Sequence, residues 1–156
     1  MTAVSNTAMF PQLPVHLYGV ATGANTTLSD SPDNTVELVL PSDIETDGGQ
    51  LTGLWASPRA TIAATVLRLY VSLDNGTTKR EALAELAAVD TVSTSDAPVP
   101  VYFTYLGAKI SAANPFLLMP GASGAKMRLY ASASVALSAG WVFHAQIERF
   151  TKAAVG

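Results

Sequence analysis

No cysteine occurs anywhere in the 156 residues. That removes disulfide frameworks, thiolate zinc sites, iron–sulfur clusters and cysteine nucleophiles, while leaving the redox compartment open. Histidine is almost as scarce: His16 and His144 are the only two, so metal ligation or imidazole catalysis has little to draw on. Charge is sparse too. Asp, Glu, Lys and Arg make up 13% of the chain, against about 25% in an average domain. Apolar residues reach 49%, the opposite of the balance that keeps a chain disordered. The length suits one domain with one core.

The few charges are unevenly placed. Residues 1–50 hold six acids (Asp30, Asp33, Glu37, Asp43, Glu45, Asp47) and no Lys or Arg, and the first 29 residues carry no charged side chain. Residues 51–156 hold nine bases and six acids, so the whole chain carries a net charge of −3. Neither part has the Lys/Arg stripe of a protein that binds nucleic acid directly. The asymmetry fits surfaces that attract further copies or a partner. It fits equally a folded domain in which the two signs intermix.

Targeting signals are not evident. The N-terminus lacks a basic region, and Pro11 and Pro14 interrupt its apolar stretch. The uncharged run Leu129–Ile147 is long enough to suggest a membrane span. Its period-two alternation and its Ser132, Ser134, Ser138, Gly140, His144 and Gln146 argue for strands and against a membrane partner.

Residues 1–14 read as an extended arm, with Met9 and Phe10 as its large apolar anchors. Residues 15–156 read as a single domain of short strands between turn signals. Strands are expected at Val15–Val20, Thr35–Leu40, Leu51–Ala56, Thr65–Leu73, Val99–Leu106, Phe116–Met119, Met127–Leu137 and Trp141–Phe150. Ala21–Asn34 and Pro41–Gly49 read as loops, the second acidic. Thr65–Leu73 puts Leu67, Leu69, Val71 and Leu73 on one face. Asn75-Gly76 then marks a tight hairpin, because both residues tolerate positive φ. The segment 79–89 has helical composition, but the hairpin needs a return strand, so a strand is expected. Met127–Leu137 and Trp141–Phe150, joined by Ser138-Ala139-Gly140, are expected to form a C-terminal hairpin with one apolar side. The fold class is all-β, an antiparallel sandwich with jelly-roll-like topology first and another sandwich topology second.

Few motifs carry chemistry. Ser72-x-Asp74-x-Gly76-x-Thr78 matches the core of the Asp-box hairpin of sialidase-like propellers. It occurs once, so it staples a turn and implies no glycosidase. Asp43, Glu45 and Asp47 before Gly48-Gly49 resemble the start of a calcium loop, yet Leu54 stands where an EF-hand needs its last carboxylate. An exposed acidic loop is the simpler reading, with a weak Ca²⁺ site left open. Gly121–Lys126 lacks phosphate-loop spacing and precedes a strand. His144 shares a strand side with Gln146 and Glu148, which suggests a polar strip more than an acid–base pair. Trp55, Tyr102, Tyr105 and Trp141 could stack sugars, but are first expected as core or interface anchors. No catalytic residue, metal ligand or cofactor site is expected.

Leu67–Arg80 (LRLYVSLDNGTTKR), Lys126–Phe150 (KMRLYASASVALSAGWVFHAQIERF) and Trp55–Ala60 resemble small structural proteins of tailed bacteriophages, over about Leu51–Phe150. The resemblance implies a non-enzymatic virion protein, foremost a capsid decoration (cement) protein. Such proteins are small, β-rich and often trimeric, and they bridge capsid subunits from outside. The implied partners are the major capsid protein and further copies of the chain. The implied location is the capsid exterior, after synthesis in the host cytoplasm. The expected interface residues are Met9, Phe10, Trp55, Tyr102, Tyr105 and Trp141. A tail or fibre component with a receptor-binding β-domain is the alternative, and a hydrolase or lectin unrelated to virions the third.

Overall fold

The computed structural model describes residues 12–91, 99–121 and 124–150. Met9 and Phe10 lie outside the described residues. Among those described, eleven strands and one short helix follow in the order β1 (Gln12–Ala21), β2 (Val36–Leu38), α1 (Ser42–Asp47), β3 (Gly49–Pro58), β4 (Thr65–Ser72), β5 (Arg80–Ala87), β6 (Val101–Tyr102), β7 (Thr104–Tyr105), β8 (Ala108–Lys109), β9 (Phe116–Leu118), β10 (Arg128–Ala133) and β11 (Trp141–Arg149). The fold is an antiparallel β-sandwich. One sheet runs β1-β11-β3-β6, with β9 also on β3, and the other runs β2-β10-β4-β5.

Alternation decides which side chains face the core. Trp141, Phe143, Ala145 and Ile147 of β11 point inward, as do Leu51, Leu54 and Ala56 of β3 and Leu17 of β1. They meet Leu67 and Leu69 of β4, Leu129 and Ala131 of β10 and Leu38 of β2. Phe103, between β6 and β7, is fully buried. Its N–H donates to the Leu54 carbonyl at 3.0 Å, and it splits the expected strand Val99–Leu106 into two.

The β4–β5 hairpin forms as expected, although β5 (REALAELA) has helical composition. The open edge of β4 imposes its own conformation, and a bulge between Leu69 and Tyr70 adjusts the register. Asn75 and Gly76 turn the chain at φ 62° and 90°. The Asp-box residues do act as a staple. Ser72 Oγ donates to Asp74 Oδ1, the Thr78 N–H donates to the same oxygen, and the Gly76 N–H donates to Ser72 Oγ, all at 2.8 Å.

Three sequence expectations need correction here. β10 and β11 do not form a hairpin: β10 pairs with β2 and β4, β11 with β1 and β3, so residues 134–140 cross between the sheets. The arm expected over 1–14 overlaps β1, whose first residue, Gln12, pairs with Arg149. The acidic loop contains a helix, α1, held by the buried Ile44. The loop expected at Ala21–Asn34 is present, and it also covers the outer side of β4 and β10. Tyr70 points to that side and would be exposed on a bare sheet; instead it is 2% exposed, and its hydroxyl donates to Asn25 Oδ1 at 3.1 Å.

Candidate functional site: an aromatic row on the outer face of one sheet

Period two places His16 and Tyr18 on the outer side of β1, His144 on that of β11, Trp55 on that of β3 and Tyr102 on that of β6. Strand register then aligns them. Tyr18 pairs with His144, His144 with Trp55, and Trp55 with Tyr102. One row of rings therefore crosses four strands, with His16 diagonal to His144. The rings of Trp55 and His144 stack with centroids 5.2 Å apart and planes 12° apart. His16 stacks on both, at 5.1 Å from His144 and 5.7 Å from Trp55. Tyr102 lies 6.4 Å from Trp55, and Lys109 Nζ stands 3.3 Å over the Tyr102 ring centroid. Such pairs favour each other by about 0.5–1.5 kcal/mol, so the row holds its shape without a partner.

Gly53 explains how the indole lies against the sheet. A Cβ there would meet Trp55 Cζ3 at 3.1 Å and Gln146 Cβ at 3.3 Å. Only a residue without a side chain leaves that space free. The row stays accessible: Tyr18 is 71% and Tyr102 41% exposed, and Trp55 and His144 are half-buried.

The imidazoles are the row's titratable part. His16 Nε2 and His144 Nδ1 are 3.1 Å apart, so one ring carries a proton where the other accepts it. Burial, and then the neighbouring His16, hold the His144 pKa below the usual imidazole value. Glu148 is engaged elsewhere, accepting a hydrogen bond from Gln50 Nε2 at 2.6 Å. Among the described residues, no group of three or more His, Cys, Asp or Glu side chains could hold a metal ion. Chemically the row offers flat π-faces, one ammonium and a pair of imidazoles, which suits burial against another surface or stacking on a ring.

The structure sorts the expected interface residues. Trp55 and Tyr102 come together in the row. Tyr105 does not: it packs edge-on against Phe116 with centroids 5.0 Å apart and leans on the core. Trp141 is a correction. It is 0% exposed, facing inward with Phe143 and Ile147, so it anchors the core and no surface. His16, Tyr18 and Lys109 were missed. The alternation in Val15–Val20 already sets His16 and Tyr18 on one side, but only the β1–β11 register brings them to Trp55.

The charge asymmetry resolves within the fold. Glu37 pairs with Arg128 at 3.4 Å, Asp43 with Arg149 at 3.1 Å, and Glu45 with Lys126 at 3.3 Å. Each pair joins the acidic N-terminal third to the basic remainder, so the signs intermix. Two of the three carboxylates in the calcium-like stretch are thereby taken by cations. Among the described residues, no helix is long and apolar enough to cross a membrane. Comparison of the chain with known protein families and with curated proteins finds no match.

Proposed function

We propose that this protein is a non-enzymatic structural component of a tailed-bacteriophage particle, a capsid decoration protein. In this reading it sits on the capsid exterior, self-associates as a trimer and bridges neighbouring copies of the major capsid protein. The observation that carries the proposal is the row Tyr18–His144–Trp55–Tyr102: aromatic, poor in charge and partly exposed across four strands of one sheet. Aromatic side chains of this kind dominate protein interfaces, because they bury large areas at low conformational cost. The stiff sandwich behind the row supports the same reading. The order β1-β11-β3-β9 facing β2-β10-β4-β5 suits a jelly roll, an architecture common among capsid proteins.

Cryo-electron microscopy of the purified particle tests the proposal. Density for the sandwich is expected on the outside of the head, over junctions between capsid subunits. Trp55→Ala with Tyr102→Ala should lower its occupancy there while the protein stays folded. Absence from the particle would overturn the reading. Density on the tail would replace it with a fibre or receptor-binding role. The half-exposed Trp55 ring favours that second reading, since a sugar could stack on it. Glycan-array binding, lost in Trp55→Ala, is the result that reading requires.

A further inference from the structure

A second surface feature lies at the other side of the sandwich, where the two sheets fail to close. The edge strands there are β5 and β9. Between them opens a groove of about 360 Å³, floored by Val71 and Leu73 and walled by Phe116, Leu117, Leu118 and Met119. Leu73, Leu117 and Met119 are 47%, 55% and 62% exposed. Among the described residues, β9 pairs only with β3, so its other edge presents unpaired backbone N–H and C=O groups. An open apolar slot beside a free strand edge is the arrangement that takes up an extended segment as an added strand.

We propose that this groove receives the N-terminal segment, residues 1–11, of a second copy of this chain, with Met9 and Phe10 seated among Leu73, Leu117 and Met119. The segment's chemistry fits. It carries no charged side chain, so no ionised group has to be desolvated against a mostly apolar groove, which Asp74, Thr78, Arg80 and Glu81 also line. Phe10 precedes Pro11, which biases it to the extended backbone an edge strand needs.

Geometry selects a second copy over the chain's own groove. Gln12 pairs with Arg149, Arg149 with Gly49, and Gly49 with Leu118. Leu118, in the groove wall, therefore lies three strand spacings from Gln12, or roughly 14 Å. Phe10 is two residues before Gln12 and reaches at most about 7 Å along the chain. Met9 and Phe10 would have to turn square to β1 and run across the ends of β11 and β3, with their side chains at full stretch, to enter their own groove, whereas the groove of a neighbour makes no such demand. An arm-to-groove contact is head-to-tail, and head-to-tail contacts close into rings when the rotation permits. The inference thus rests on the self-association proposed above and supplies its contact.

The absence of native cysteine makes the test clean. Phe10→Cys and Met119→Cys are made as separate full-length variants, mixed and mildly oxidised. A disulfide-linked dimer is expected from the mixture on a non-reducing gel. It should be several-fold stronger than from Phe10→Cys mixed with Leu86→Cys, whose exposed site lies on β5 outside the groove. Equal yields in both mixtures, or no dimer, would overturn the inference. A double variant that cross-links only within one chain would do the same. Removing residues 1–11 should abolish self-association by light scattering, and an unchanged mass would contradict the proposal. These measurements use the isolated protein. A particle that carries the protein without the cross-link refutes the arm contact alone. A cross-link in a protein absent from particles refutes the virion role alone.

Discussion

His144 Nδ1 faces His16 Nε2 across 3.1 Å, and the Trp55 ring stacks with both imidazoles. The His144 pKa lies below the ordinary 6.5, through burial first and His16 second. The unfolded chain therefore takes up this proton more readily than the folded one. Stability from the pair is fully present above the ordinary value and is lost as pH falls through the lowered one. The thermal midpoint should drop on acidification from about pH 7 to about pH 5. His144→Gln should flatten that slope, and a slope unchanged by the substitution would remove the pair as its cause.

Asp74 titrates lower. The Thr78 N–H, the Thr78 side chain and the Ser72 hydroxyl, in that order, hold its pKa at about 2, against 3.8 ordinarily. Its contribution is present above 3.8 and disappears as pH falls toward 2. Asp74→Ala should lower the melting temperature at neutral pH by loosening the hairpin turn. Asp74→Asn should keep part of the staple, since an amide oxygen still accepts, while losing the acid dependence. Acid titrations followed by circular dichroism would show both effects.

The two tryptophans should respond very differently to truncation. Trp141→Ala removes a fully buried side chain from between the sheets, and about 3–5 kcal/mol of stability should go with it. Trp55→Ala removes a half-buried ring from the outer row, for about 0.5–1.5 kcal/mol. Urea unfolding of the two variants measures the gap. Comparable losses would mean that Trp55 also supports the core.

The sequence held the ground for that contrast, although Trp141 was expected beside Trp55 at an interface. Alternation in Trp141–Phe150 already set Trp141 with Phe143 and Ile147 on the apolar side, which marks it as core. The Asn75-Gly76 turn and the faces of β4 were equally plain, because turn chemistry and period two act locally. What stayed hidden depends on long-range pairing. Nothing within Ser138-Ala139-Gly140 distinguishes a hairpin from a crossing between sheets, and alternation running on to Leu137 favoured the hairpin. His16, Tyr18 and Trp55 are far apart in the chain, and only register joins them into a row. Helix α1 stayed hidden because Ser42–Asp47 is made mostly of weak helix formers, and the ion pairs of its Asp43 and Glu45 with Arg149 and Lys126 appear only in the fold.

The loop over the second sheet depends on one buried contact. Tyr70 Oη donates to Asn25 Oδ1 at 3.1 Å, and the Asn25 N–H donates to the Ala133 carbonyl at 2.7 Å. Asp33 secures the same loop, accepting from the Thr26 and Thr27 N–H groups at 2.8 and 2.9 Å. Tyr70→Phe keeps the ring but leaves the buried Asn25 oxygen without that donor, a loss of about 1–3 kcal/mol. The effect should be local first. Amide exchange should quicken at Asn25 and through residues 24–34, while Leu67 and Leu129 in the core keep their protection. If exchange instead rises evenly across both sheets, the loop is part of the cooperative fold, and Tyr70 supports the sandwich as a whole.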